Sequence, residues 1–200
     1  MMRSRTLLIT LLAAAALAGC GASPQARFYT LSPSAAQQRA NSEAPFSVTI
    51  GPVAVPEMID RPQIVTRAGA NQVTINEFAL WAGPLKSEIA RVIAGNLTQM
   101  LNGAPVYIYP QSTSMKADYK VQLDVQQFDS ALGDAATLEV LWSVQPTKGG
   151  EPKTGRAVVR EPTGADKGED KGYNALVAAH SRALTAVSRD IAAAIRPPAP

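Results

Sequence analysis

Tyr119-Lys120-Val121-Gln122-Leu123-Asp124-Val125-Gln126 decides the fold class. An apolar or aromatic residue falls at every second position, and the residues between are charged or amide. That is the period of a strand with one dry face and one wet face. Leu138, Val140, Trp142 and Val144 repeat the pattern after a turn region at 129–136. A further strand is expected over 156–161. The short connections favour antiparallel neighbours here.

Upstream, Phe46-Ser47-Val48-Thr49-Ile50 alternates in the same way. Gly51-Pro52 interrupts it, and Val53 and Val55 resume it. Residues 64–67 and 72–77 read as a strand pair around the turn Ala68-Gly69-Ala70-Asn71. Short β-prone runs stand at 27–31 and 106–109. A helix is expected from Pro84, whose missing N–H costs nothing at a helix start. Leu85, Ile89, Val92, Ile93, Leu97, Met100 and Leu101 mark its apolar face, and Asn102-Gly103 ends it. A second helix is expected over about 173–195, with Tyr173, Leu176, Val177, His180, Leu184, Val187, Ile191 and Ile195 as its stripe. Pro197-Pro198 stops it. The expected fold class is α/β with mixed α+β character. It is one domain, with a mixed, largely antiparallel sheet and two long amphipathic helices.

The chain has 200 residues, 46% of them hydrophobic and 18% charged. That suits one globular domain and neither a disordered chain nor a polytopic membrane protein. One Cys excludes an internal disulfide framework, and one His excludes a multi-histidine metal site. The first five residues carry Arg3 and Arg5 and no acid, and a short run of Leu, Ile and Ala follows. This is a secretory signal, too short to span a bilayer. It ends in Leu17-Ala18-Gly19-Cys20, the pattern of a bacterial lipobox. Cys20 is therefore the expected lipidation site, carrying a diacylglyceryl group and an N-acyl chain such as palmitate. Loss of Arg3 and Arg5 with the signal lowers the formal side-chain charge from +3 to +1. Gly21, rather than Asp, after the Cys favours outer-membrane sorting in a Gram-negative envelope. The expected organisation is a signal peptide at 1–19 and a lipidated Cys, short strand and linker at 20–45. The domain follows at 46–196, with a tail at 197–200.

No catalytic constellation emerges. His180 sits on an apolar helical stripe, and Ser181 beside it points about 100° away. Gly164, Gly168 and Gly172 lack the Gly-Lys-Ser/Thr ending of a phosphate loop, and acids interleave them. A solvated connector is the better account. Asn96-Leu97-Thr98 matches a glycosylation sequon but falls within the first helix. Asp60-Arg61-Pro62-Gln63 reads as a turn. Basic residues are dispersed among acids, so no nucleic-acid partner is expected.

Three stretches carry a family resemblance: Phe28-Tyr29-Thr30-Leu31, Asp60-Arg61-Pro62-Gln63-Ile64-Val65-Thr66-Arg67, and Trp81-Ala82-Gly83-Pro84-Leu85. With them the chain resembles the ABC-type transport auxiliary lipoproteins, the group containing paraquat-inducible protein C. The resemblance implies a mixed α/β sandwich. It also implies a lipid-anchored periplasmic protein on the inner leaflet of the outer membrane. It implies work beside a mammalian-cell-entry (MCE) domain protein and an ABC permease and ATPase, or an equivalent inner-membrane subunit, in lipid transport between membranes. Assembly of copies into a ring is implied as well. No catalytic residue, metal or cofactor beyond the lipid on Cys20 is implied. Asp60, Arg61, Pro62, Gln63, Trp81 and Pro84 are family motif positions, serving either the fold or an interface. Leu80 stands where a basic residue is common, and Gly83 where Glu is common. Direct lipid carriage in an apolar groove is the alternative expectation, and a periplasmic hydrolase a more distant one.

Overall fold

The alternation around Leu123 becomes β6 (Tyr119–Ser130), one of the two longest strands, in a computed structural model that describes residues 24–34, 44–110, 116–164 and 172–195. The signal peptide, Cys20, most of the linker, most of the Gly164–Gly172 connector and the tail lie outside the described residues. The remaining strands are β1 (Arg27–Tyr29), β2 (Val48–Ala54), β3 (Gln63–Gly69), β4 (Gln72–Trp81), β5 (Val106–Ile108), β7 (Ala135–Pro146) and β8 (Lys153–Pro162). The helices are α1 (Leu85–Met100) and α2 (Tyr173–Ile195).

The fold class is mixed α+β, as the alternating strands and the two apolar stripes predict, but the strands divide into two sheets. One sheet has the order β1-β4-β3, the other β5-β2-β6-β7-β8. β6, β7 and β8 are antiparallel neighbours, as their short connections require. β2 is parallel to both β5 and β6, and β1 to β4, because longer segments separate them in the chain.

Local details depart from the sequence reading. Gly51-Pro52 does not end β2; the strand continues through a register shift between Ile50 and Val53. Gly51 permits this, since a Cβ there would lie 3.2 Å from the Val121 carbonyl oxygen. The turn expected over 129–136 is tighter, because β6 runs to Ser130 and β7 starts at Ala135. β4 continues past 77 to Trp81, which joins that residue to the sheet. Asn102 and Gly103 both take positive φ just after α1, the left-handed turn that ends a helix.

The helices cover one face of the five-stranded sheet. Val121, Leu123, Leu138 and Val140 from the strands share one core with Ile93, Leu97, Leu176 and Leu184. The space between sheet and helices is thus filled by buried side chains.

The expected linker is only partly a linker. Leu31 is fully buried, and residues 30–34 lie as a strap across both helices. The Leu31 N–H donates to Glu88 Oε2 (3.1 Å), Ser32 N–H to Ser181 Oγ (3.1 Å), and Ser34 N–H to Asn96 Oδ1 (2.8 Å). Arg91 donates to the Leu31 carbonyl and pairs with Glu88 at 2.7 Å. Although burial raises the Glu88 pKa, hydrogen bonds from Arg91, Thr30 and Leu31 hold it below the ordinary carboxylate value. Asn96 is fully buried and also donates to Thr185 and Ser188 on α2. Composition alone suggested a loop because the segment's polar backbone is satisfied by residues remote in sequence.

Trp142 lies over Gly155, its partner on β8. A Cβ at 155 would come within 2.2 Å of the indole ring. Gly155→Ala is therefore expected to destabilise the fold by about 1–3 kcal/mol through overpacking. Denaturant unfolding measures this. Adding Trp142→Leu should recover part of the loss, and strict additivity of the two changes would refute the clash.

Candidate functional site

The motif positions meet at one end of the three-stranded sheet. The Trp81 N–H donates to the Pro62 carbonyl (2.7 Å), and the Ala82 N–H to the Tyr29 carbonyl (2.8 Å). Tyr29 is itself in register with Trp81. These bonds gather three stretches that are distant in sequence. A groove of about 350 Å³ results, lined by Asp60, Arg61, Pro62, Trp81, Gly83, Pro84 and Leu85. Lys86 Nζ, at the start of α1, holds Asp60 at 2.7 Å. Arg61, Pro62 and Pro84 are exposed at the rim, while Trp81 is 5% exposed.

Five of the six motif positions thus line one groove. Gln63 does not: it begins β3 opposite Leu80 and donates to Glu77 at 3.2 Å. Gly83 has nothing closer to its Cβ position than Glu88 Oε1 at 3.8 Å, so the groove is open at that point. The lining is dominated by proline rings, an indole and a leucine, with one guanidinium at the rim. Such a surface can bind by apolar contact and orient a ligand with a single charge. Cys20, Leu17, Ala18 and Gly19 lie outside the described residues.

Trp81 is fixed from below by Phe128, at 6.1 Å between centroids in an edge-to-face arrangement. Phe128 in turn stacks on His180 at 3.8 Å and 7°. His180 Nε2 and Ser130 Oγ are hydrogen-bonded at 2.8 Å. No local pattern encodes this pairing, because β6 shifts register between Val125 and Gln127. The shift turns Phe128 and Ser130 inward, against the alternation set by Val121, Leu123 and Val125.

A Ser–His hydrogen bond invites comparison with a nucleophile and its base, but the surroundings argue otherwise. His180 is fully buried and Ser130 nearly so. Among the described residues His180 Nδ1 has no hydrogen-bond partner, so none of their carboxylates orients the ring. Burial pushes the imidazole pKa down to about 3. The pair joins α2 to β6 and offers no base to a substrate.

A second groove, of about 540 Å³, runs along the outer side of α2 beside the strap. Its lining is largely polar, with Ser32, Ser34, Ser181 and Thr185 among its residues. Arg182, also in that lining, donates to Glu161 at 3.0 Å.

The folded pKa of His180 lies below its ordinary 6.5, so the unfolded chain takes up the proton first as pH falls. The resulting stability is complete above about pH 6.5 and is lost as pH drops toward the folded value, by at most about 1.4 kcal/mol per pH unit. His180→Gln should flatten the stability profile between about pH 6.5 and 5, above the range where carboxylates titrate. Denaturant midpoints across that window test it. An unchanged slope in the variant would show that His180 is not buried in neutral form.

Comparison with known proteins agrees with this architecture. The chain is similar to the crystal structure of an uncharacterized protein, with a TM-score of 0.68 and 20% identity. That match covers 86% of this chain and all of the other. A Xanthomonas campestris protein of the family DUF330 matches with a TM-score of 0.60 and 20% identity, over 82% of this chain and 92% of that one. These likenesses establish a shared fold. A comparison with curated proteins finds no match. The profile of the ABC-type transport auxiliary lipoprotein component covers residues 29–192, from the strand at Tyr29 to the last turns of α2, and the chain belongs to that family.

Proposed function

We propose that this protein is a lipid-anchored, non-enzymatic docking subunit of an MCE-type intermembrane lipid transport system. Cys20 carries the diacylglyceryl and N-acyl lipid and holds the domain on the inner leaflet of the outer membrane, facing the periplasm. The groove around Trp81 receives an MCE-domain partner, which in turn works with an ABC permease and ATPase. Copies of the chain in a ring belong to the same reading. One observation carries it: the family motif residues, scattered through the sequence, converge on one shallow, mostly apolar groove. A rigid aromatic floor under an exposed arginine is a common form of protein-binding hot spot. Gly83, where Glu is common in the family, leaves the groove without that carboxylate, so the partner's contact here is correspondingly less basic. No helix among the described residues is long and apolar enough to cross a membrane. A lipid on Cys20 would supply the membrane link by itself.

Lipid carriage has less support. The sheet–helix layer is filled by the core, and the larger groove is largely polar. Acyl chains prefer a deep apolar cavity.

Two results follow from the proposal. Cys20→Ser should abolish acyl labelling and remove the protein from its membrane fraction; normal labelling and fractionation would contradict the anchor. Arg61→Glu should lower recovery of an MCE-domain protein from detergent-solubilised membranes about tenfold, a loss of about 1.4 kcal/mol of binding. Val158→Glu, on the other sheet, should leave it unchanged. Equal recovery with both variants would remove the groove from the interface.

A further inference from the structure

The three-stranded sheet has a second surface that the groove does not use. Along β4 the burial alternates: Ala79 and Trp81 are 2% and 5% exposed, while Phe78 is 42% exposed and Leu80 half-buried. On β1, Tyr29 is buried and Phe28 is 66% exposed. Phe28 is in register with Leu80, so Phe28, Leu80 and Phe78 share the outward face. The chain has only four phenylalanines and presents two of them to solvent on neighbouring strands. Isolated exposed apolar residues need no explanation, but an aromatic strip does.

Two further features point to what covers it. Arg27 is exposed next to Phe28 and forms no ion pair among the described residues; its register partner is buried Ala79, so it stands at the edge of the strip and not on the outward face itself. Glu77, beside Phe78, is exposed and accepts a hydrogen bond from Gln63. The tether is also short. Seven residue steps separate Cys20 from Arg27, a reach of at most about 25 Å. A lipid on Cys20 therefore keeps β1 close to the bilayer whatever path the tether takes.

We propose that the outward face of the three-stranded sheet, with Phe28, Phe78 and Leu80 and with Arg27 at its edge, seats on the lipid surface that holds the anchor. This rests on the anchoring of Cys20. The aromatic rings enter the interfacial zone, and the Arg27 guanidinium reaches from the edge to a lipid phosphate. Contact at this face fixes the orientation of the domain. The Trp81 groove, at one end of the same sheet, is then held at the bilayer surface.

The test uses the lipidated full-length protein, in which the acylated Cys20 leaves no free thiol. Phe28→Cys, Phe78→Cys and, as a control, Val158→Cys are labelled with an NBD fluorophore. Each is reconstituted into vesicles of phosphatidylethanolamine and phosphatidylglycerol, with and without doxyl-labelled phosphatidylcholine. Labels at 28 and 78 are expected to shift to the blue and to be quenched by the doxyl lipid, with neither change at 158. Protein that floats with the vesicles but shows no quenching at 28 and 78 overturns the docking and leaves the anchor standing. A blue shift without doxyl quenching also overturns it and assigns the face to a protein, either a second copy or the transport partner. Protein that fails to float refutes the anchor, and this proposal falls with it.

Discussion

Phe128 is the residue through which the two sheets and the last helix meet. It stacks flat on His180 of α2 and takes the edge of Trp81 from the three-stranded sheet. It stands on β6 of the five-stranded sheet. The smaller sheet has other ties to the body of the domain, including Tyr29 against Tyr173 of α2 at 5.5 Å and Ile64, Val65 and Ala79 in the shared core. Further ties are the strap that leaves β1 for the two helices and the ion pair between Arg67 on β3 and Asp129 on β6. That ion pair is part-exposed and worth little on its own. The aromatic chain from His180 to Trp81 is buried and sterically fixed, so it sets the position of the groove.

This arrangement gives the sole histidine a structural role in place of a catalytic one. Its ring is held neutral by burial, and its hydrogen bond to Ser130 satisfies one of its two nitrogens. A neutral imidazole can stack on Phe128 without carrying charge into the core. The groove itself contains a rim arginine and an aspartate already paired with Lys86.

Much of this was legible in the sequence. The alternation at 119–126, the stripe of α2 and the proline at the start of α1 are local patterns, and each gave its element within a few residues. The motif Asp60-Arg61-Pro62 and the Trp81–Pro84 stretch marked the groove, although their meeting depends on a hydrogen bond between residues 62 and 81 that no local pattern encodes. Three features were hidden for the same physical reason. The strap at 30–34 is held by Glu88, Asn96 and Ser181, the division into two sheets is a matter of pairing, and the inward turn of Phe128 and Ser130 follows from a one-residue register shift. Each is set by long-range contact, and propensity is silent about long-range contact. Gln63 was grouped with the motif by adjacency, and strand geometry moved it off the groove.

Under the proposed function a transport partner binds at the Trp81 groove. The most direct measurement is photocrosslinking in intact cells from a photoreactive residue placed at position 61, with the same residue at position 158 for comparison. A crosslink from 61 to an MCE-domain protein is expected, and none to that protein from 158. A crosslink to that partner from 158 alone, or from neither position while the protein remains folded and anchored, would contradict that function.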